Sequence, residues 1–303
     1  MAGRYAPSPT GPLHLGNLRT ALVAWLLARS TGRSFKLRVE DLDRARVGAA
    51  GDIAARQIAD LENLGLDFDG PPMCQSERLD VYTKVAQQLK DRVYECFCTR
   101  REIAEAASAP HGDTFRAYPG TCRNLTKAQR AAKRLVRPPA LRVRADSAGQ
   151  SITDLWAGEV TGVVDDFVIR RNDGTWAYNF AVVVDDLAQG VDQVVRGGDL
   201  LSCAPRQAWL SELLGGDVPG YAHVPLTLGA DAGRLQKRDG AVTLADLATV
   251  GYDAAAVRSL LAHSLGLADF QEPVTMDQLL TRFHPAKLPR TPWVYAGITD
   301  SPT

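Results

Sequence analysis

The residues best suited to chemistry stand at the start of the chain, in Ala6-Pro7-Ser8-Pro9-Thr10-Gly11-Pro12-Leu13-His14-Leu15-Gly16-Asn17. Prolines and a glycine stiffen a turn there, and Leu18, Leu22, Trp25 and Leu26 then recur at helical spacing, so the stretch reads as strand, turn and helix N-terminus. The first amides of a helix lack intrahelical partners and sit at the positive end of its dipole, which makes such a turn a seat for a phosphate. His14 stands just before that end, where an imidazole can donate to a phosphoryl oxygen. A second cluster holds Cys96, Cys98 and Cys122, with Tyr118 and His111 in the same stretch. Three thiolates at this spacing suit a closed structural zinc site, its fourth ligand open between the phenol and the imidazole. Cys74 and Cys203 lie apart and read as small apolar residues. A third feature is the run from Arg123 to Arg144, which carries no acidic residue. Its Lys127, Arg130, Arg134 and Arg137 can share one helical face, as expected where a phosphate backbone is tracked.

Elements that position these residues follow from the apolar pattern. Phe35, Leu37 and Val39 alternate with Lys36, Arg38 and Glu40, which reads as a strand running into Glu40-Asp41-Leu42-Asp43. Open parallel sheets bind ligands beyond the carboxyl ends of their strands, which puts Glu40 at a pocket mouth beside the end of the first strand near Arg4. Ile53, Ile58, Leu61 and Leu64 mark a helix that stops at Gly65, and Leu79, Tyr82, Val85, Ala86 and Leu89 mark another. Strand, helix, strand, helix is the opening of a right-handed parallel α/β unit. Phe167 to Arg170, the turn Asn172 to Thr175 and Trp176 to Phe180 read as a β-hairpin. Val257, Leu260, Leu261 and Leu265, then Met276, Leu279, Leu280 and Phe283, predict two late helices. With 303 residues, 45% apolar and 23% charged, the chain has the composition of a soluble protein with room for two small domains. No apolar run reaches membrane-spanning length and no secretory layout opens the sequence, so a cytoplasmic location is expected. Formal charge is zero, so a nucleic acid would have to be held by a local basic patch.

The run Arg4 to Asn17 resembles the "HIGH" signature region of class I aminoacyl-tRNA synthetases, in the form found in the glutamyl branch. His14-Leu15-Gly16-Asn17 keeps the first histidine and the glycine, with Asn17 in place of the second histidine. Asp165 to Gln207 is similar to the corresponding part of glutamyl-tRNA synthetases, and Gln75-Ser76-Glu77-Arg78 also matches, without an assigned chemistry. Arg234-Leu235-Gln236-Lys237-Arg238-Asp239-Gly240 stands where that family carries its lysine loop, "KMSKS" or "KLSKR"; Lys237 keeps the second lysine, while Arg234 and Gln236 depart from the pattern.

The resemblance implies an α/β fold: a Rossmann-like parallel sheet in two halves, 1–92 and 185–240, with a zinc-binding insertion at 93–184 and a short helical region at 241–303. It implies a glutamate pocket of Arg4, Ala6, Ser8, Glu40, Tyr178 and Arg196, and an ATP site of Pro7, His14, Gly16, Asn17 and Lys237. His14 and Lys237 act on the phosphates, and magnesium enters with ATP. The family's Cys-x-Cys then Tyr-x-x-x-Cys pattern favours Tyr118 over His111 beside Cys96, Cys98 and Cys122 on zinc. Charge supports the substrate independently: glutamate carries two carboxylates and an ammonium, and the pocket offers two guanidinium groups and one carboxylate. A complete glutamyl-tRNA synthetase continues into a large anticodon-binding region for which this length leaves no room. The chain therefore resembles the shortened glutamyl-queuosine tRNA(Asp) synthetase branch. That branch implies activation of L-glutamate as glutamyl-adenylate and transfer to the queuosine base at the tRNA(Asp) wobble position, with the anticodon stem-loop as partner and the protein a monomer. The alternatives are a small glutamyl-tRNA synthetase charging the tRNA 3′ end, a non-catalytic RNA-binding paralogue and a small-molecule nucleotidyltransferase.

Overall fold

The computed structural model describes residues 1–43, 50–99, 101–103, 117–145, 149–233, 235 and 242–297. The main sheet is built on β1 (Ala2–Tyr5), flanked by β2 (Ser34–Val39) and then β3 (Met73–Cys74) on one side. On its other side lie β9 (Val191–Gly197), β10 (Gly220–Val224) and β6 (Gly149–Asp154), all parallel to β1, with β7 (Gly158–Val163) antiparallel at the edge. The order β3-β2-β1-β9-β10 reverses direction between β1 and β9, the place where a doubly wound sheet leaves a crevice.

Helix α1 (Leu15–Ser30) crosses from β1 to β2 and is buried on most of its circumference; Leu18, Leu22 and Leu26 are inaccessible to solvent. It has sheet on one side and the C-terminal helices α8 (Ala254–Ser264) and α9 (Met276–Arg282) on the other, with Leu261 and Leu279 in the same core cluster. A helix covered on several sides needs an apolar surface wider than one stripe, which is why its sequence is apolar nearly all round. Between them α2 (Ala50–Asn63) and α3 (Leu79–Gln88) follow the predicted pattern, and Gly65 adopts a positive φ of 100° past the end of α2.

The expected insertion 93–184 does not form one unit. β4 (Val93–Cys96), β5 (Ala140–Val143) and β8 (Val168–Arg170) make a separate antiparallel sheet, with α4 (Lys127–Arg134) between the first two. The β6–β7 hairpin, inside the same span, instead extends the main sheet by pairing β6 with β10. The expected hairpin at 167–180 is also corrected: β8 and an isolated bridge from Arg170 to Trp176 are present, but Tyr178 begins helix α5 (Tyr178–Ala188). Phe180 to Asp186 is buried throughout, so its valines serve a core helix covered on several faces rather than a strand. The remaining elements are α6 (Ala204–Leu213), the pair β11 (Thr227–Leu228) and β12 (Trp293–Val294), and α7 (Leu244–Thr249).

Candidate active site

A cavity of about 890 Å³ opens at the carboxyl ends of β1 and β9, where the strand order reverses. Arg4, Ala6, Pro7, Ser8, His14, Gly16, Asn17, Glu40, Tyr178 and Arg196 all line it. Elements far apart in sequence deliver them: β1 and its turn, the N-terminus of α1, the end of β2, the start of α5 and the end of β9. Arg234, Gln236 and Lys237 lie outside the described residues. Leu235 lines the cavity, and Val242 accepts a hydrogen bond of 2.9 Å from the Leu15 amide.

His14 is the N-cap of α1, and its ring does what was expected of a phosphate: Nδ1 accepts from the amides of Gly16 at 3.1 Å and Asn17 at 3.4 Å. The expectation of open helix amides is thereby corrected, since the Leu15 amide is also taken, by Val242. Asn17 completes the box, its Oδ1 accepting from the His14 amide at 3.2 Å. Burial holds the His14 pKa below the ordinary value, so the ring is neutral at physiological pH. A neutral ring whose Nδ1 accepts carries its proton on Nε2. His14 is thus a fixed single donor, and any anion meets that donor instead of the helix amides.

The charged side of the cavity contains more than the sequence suggested. Arg4 is buried; its Nε reaches Asp186 Oδ1 at 3.3 Å and its Nη1 donates to the Val195 carbonyl at 3.0 Å. Arg38 is fully buried and bridges Asp186 at 2.7 Å and Glu40 at 3.2 Å. These guanidinium groups hold the Asp186 carboxyl below its ordinary range, against burial, whereas for Glu40 burial prevails and its pKa is raised. Ser8 donates its hydroxyl to the Glu40 carbonyl at 2.9 Å, fixing the end of β2 against the turn.

Arg196 is differently placed. Its Nε donates to His223 Nε2 at 2.9 Å, Nη1 to Gln207 Oε1 at 2.6 Å and to the Tyr178 hydroxyl at 3.3 Å, and Nη2 to the Leu200 carbonyl at 3.2 Å. All four acceptors are neutral, and among the described residues no carboxylate lies within ion-pair distance. A buried cation held this way lacks a counter-ion and leaves room for an anion to supply one. Because Tyr178 accepts from Arg196, its own proton remains available to a ligand.

Arg38, Asp186, Gln207 and His223 were missed by sequence reasoning. The alternation in β2 marks a strand but not the partner of Arg38: parallel strands in this fold are covered on both faces, and α5 brings Asp186 over Arg38. The Gln75 to Arg78 match proves to be a brace: Gln75 and Arg78 hold the buried Asp185 at 2.8 and 2.6 Å, and Ser76 binds Asp41.

In the smaller sheet, the sulfurs of Cys96, Cys98 and Cys122 lie within 4.8 Å of one another. The Tyr118 hydroxyl is 3.4 Å from Cys96 Sγ and 3.7 Å from Cys98 Sγ, beside the cluster. His111 lies outside the described residues. The three thiols can hold a metal ion. The basic run is largely committed within the fold. Arg134 pairs with Glu95 at 2.8 Å, Arg137 with Glu102 at 3.2 Å, and Arg130 caps the Leu125 carbonyl at 2.7 Å. Arg142 stacks on the Tyr118 ring at 3.7 Å.

A crevice at the strand-order reversal, with a capping histidine on the first helix and a buried arginine without a counter-ion opposite, is the ligand-site geometry of a doubly wound α/β fold. The family described as tRNA synthetases class I (E and Q), catalytic domain, matches residues 1–296, and the chain belongs to this family of ligases. It is similar to proteins named glutamyl-Q tRNA(Asp) synthetase. That of Nocardia farcinica is 58% identical, over 99% of this chain and 94% of the relative, and that of Symbiobacterium thermophilum 47% identical over 96% and 95%. Among solved structures, a glutamate tRNA ligase from Elizabethkingia meningosepticum, crystallised with its amino acid, superposes with a TM-score of 0.81 at 30% identity. The match covers 97% of this chain and 66% of that one.

Proposed function

We propose that the protein activates L-glutamate with ATP as glutamyl-adenylate and transfers the glutamyl group to the queuosine base at the wobble position of tRNA(Asp). The observation that carries the amino-acid half is Arg196, a buried guanidinium with only neutral partners, beside a tyrosine hydroxyl whose proton is free and across the cavity from Glu40. One substrate carboxylate binds Arg196 and Tyr178, and Glu40 faces the ammonium. The other carboxylate is left toward His14, where one of its oxygens attacks the α-phosphorus of ATP in line and pyrophosphate departs. No enzyme nucleophile is required; the chain contributes position and charge. His14 donates from Nε2 to a phosphoryl oxygen, and Lys237, two residues along the chain from the cavity-lining Leu235, neutralises the leaving pyrophosphate. Magnesium bound to the triphosphate supplies further charge neutralisation. Cys96, Cys98, Tyr118 and Cys122 hold a structural zinc ion beside the smaller sheet, outside the lining of the cavity.

The RNA half of the proposal is supported by the names and coverage of the relatives. Glutamate-dependent exchange of labelled pyrophosphate into ATP tests the first step, and Lys237→Ala should lower it at least tenfold. Labelled glutamate recovered on the anticodon fragment of cleaved tRNA(Asp) supports the second step; label on the 3′ fragment would replace it with ordinary tRNA charging. No exchange with or without RNA would leave a non-catalytic RNA-binding protein.

A further inference from the structure

Arg196 is held from behind by a device that the binding chemistry alone does not require. His223, on β10, is buried between Arg196 on β9 and Asp154 on β6. Its Nδ1 lies 2.6 Å from Asp154 Oδ2, and its Nε2 lies 2.9 Å from Arg196 Nε. Asp154 is itself fixed, accepting from the amides of Trp156 at 3.0 Å, Ala157 at 2.9 Å and His223 at 3.0 Å. A guanidinium nitrogen can only donate, so His223 Nε2 must present a lone pair, and the ring proton must stand on Nδ1 toward the carboxylate. The arrangement has one consistent protonation state: ionised Asp154, neutral His223, charged Arg196.

Every other group facing the ring agrees with that state. Arg4 on β1 adds a second positive charge, Tyr221 stacks on the imidazole at 6.0 Å from its own strand, and Gln207 on α6 and Tyr178 on α5 complete the acceptors around Arg196. Burial, with Arg196 and Arg4, keeps the ring neutral against the pull of Asp154. Asp186 and Glu40, the remaining buried carboxylates on this side, are bound to Arg38. Asp154 therefore supports Arg196 only through the ring, which leaves the guanidinium without a direct counter-ion and in one orientation.

We propose that His223 is a positioning residue for the substrate carboxylate: a neutral spacer between Asp154 and Arg196 that aims the guanidinium into the cavity and releases it when the ring gains a second proton. This rests on the reading of Arg196 as the carboxylate receptor. Protonation would place an N–H against the Arg196 Nε–H and a second charge beside the first, so the affinity for glutamate should fall with pH. The binding of ATP, which meets His14 on the opposite side, should respond much less.

The test is pyrophosphate exchange from about pH 5.5 to 8.5 on the full chain, with His223→Gln, His223→Phe and Asp154→Asn. His223→Gln offers Arg196 an acceptor that does not titrate, so the glutamate KM should lose the acid limb assigned to His223. Any limb belonging to Glu40 persists in all variants. His223→Phe should raise the glutamate KM about tenfold or more at neutral pH, the scale of one hydrogen bond to a charged group, with kcat and the ATP KM within about threefold. Asp154→Asn can donate to Nδ1 and turn the ring proton toward Arg196, so it should act in the same direction. A nitrogen NMR spectrum of the histidines, assigned by loss of one signal in His223→Gln, should show the Nδ1–H form. A glutamate KM within twofold of wild type in His223→Phe, an unchanged acid limb in His223→Gln, or an Nε2–H ring would each overturn the proposal. Wild-type protein that exchanges no pyrophosphate with glutamate overturns the proposed activity instead, and the nitrogen spectrum still decides how His223 meets Arg196. Should His223→Phe fail to fold, the His223→Gln profile and the spectrum carry the decision.

Discussion

Gly16 shows how one atom at the site is decided by its neighbours. A Cβ there would lie 3.0 Å from His14 Cε1, 3.1 Å from Nδ1 and 3.2 Å from Thr227 Cβ, so the ring would have to give by a few tenths of an ångström. Alanine also favours a helix interior over glycine by up to about 1 kcal/mol. Gly16→Ala should therefore hold or raise the urea midpoint while lowering pyrophosphate exchange about tenfold through a displaced Nε2 donor; exchange equal to wild type would show that the ring position is not critical. Tyr178→Phe removes a hydroxyl that stands beside Arg196 and can add to it on a substrate carboxylate. It should raise the glutamate KM about tenfold with the ATP KM nearly constant, measured in the same assay. At this scale the sequence was most legible where a residue lines the cavity. Arg4, His14, Glu40, Tyr178 and Arg196 were readable because motif and charge mark them. Arg38, Asp186 and His223 were not, because each is recognisable only by the buried partner that a distant strand or helix brings to it.

Elements were legible where their periodicity had one cause. α1, α2, α3, α8 and α9 stand near their predicted places, because each shows an apolar spacing with a stop signal or cap. The start of α5 falls where Trp176 to Phe180 reads as the second arm of a hairpin, because the turn signal at Asn172 to Thr175 and the aromatic residues after it favour a strand locally, whereas burial on several faces makes the stretch from Tyr178 a helix. Some joints between elements rest on side chains rather than periodicity. Arg19 on α1 donates to the Pro225 carbonyl at 3.0 Å and to Ser264 at the end of α8, a buried cation whose pKa burial lowers to about 10. Beside the smaller sheet, Tyr94, Phe97 and Tyr118 form a small satellite cluster with Cys96 and Cys122, where a bound metal would add more stability than so few apolar contacts supply. Protein purified without chelator should contain one zinc per chain by elemental analysis. Cys96→Ser with Cys122→Ser should abolish that and hasten proteolysis within 97–137, while the main sheet keeps its far-ultraviolet signal. Equal zinc content in the double variant would assign the metal elsewhere.

For the whole molecule, the zero formal charge conceals a one-sided response to acid. Asp154, Asp186 and Asp192 are held below the ordinary carboxylate range by hydrogen bonds to histidine, arginine and backbone partners. His14 and His223 are held below the ordinary histidine value mainly by burial. In all five groups the unfolded chain takes up a proton more readily than the folded one, so stability rises with pH wherever they titrate. The histidine contribution is complete above the unfolded value of about 6.5 and is lost as pH falls through the lowered folded values. The aspartate contribution is complete above about 3.9 and is lost as pH falls through theirs. Glu40 and Asp60 act oppositely: burial raises their pKa, so the folded state prefers the neutral carboxyl and regains stability as they protonate. The groups of lowered pKa outnumber these two, and the Asp186 carboxylate cannot be neutralised without leaving Arg4 and Arg38 less compensated. The urea midpoint should therefore decline from about pH 7.5 to about pH 5 and fall more steeply below about pH 4. His223→Gln should flatten only the upper part of that curve. Asp186→Asn, which removes the carboxylate charge shared by two buried arginines, should lower the unfolding free energy across the whole pH range by about 3 kcal/mol or more. A midpoint that is constant from about pH 7.5 to about pH 5 in the wild-type protein would mean that both rings take up protons in the folded state as easily as in the unfolded one, and neither could then serve as the fixed neutral group that its hydrogen bonds require.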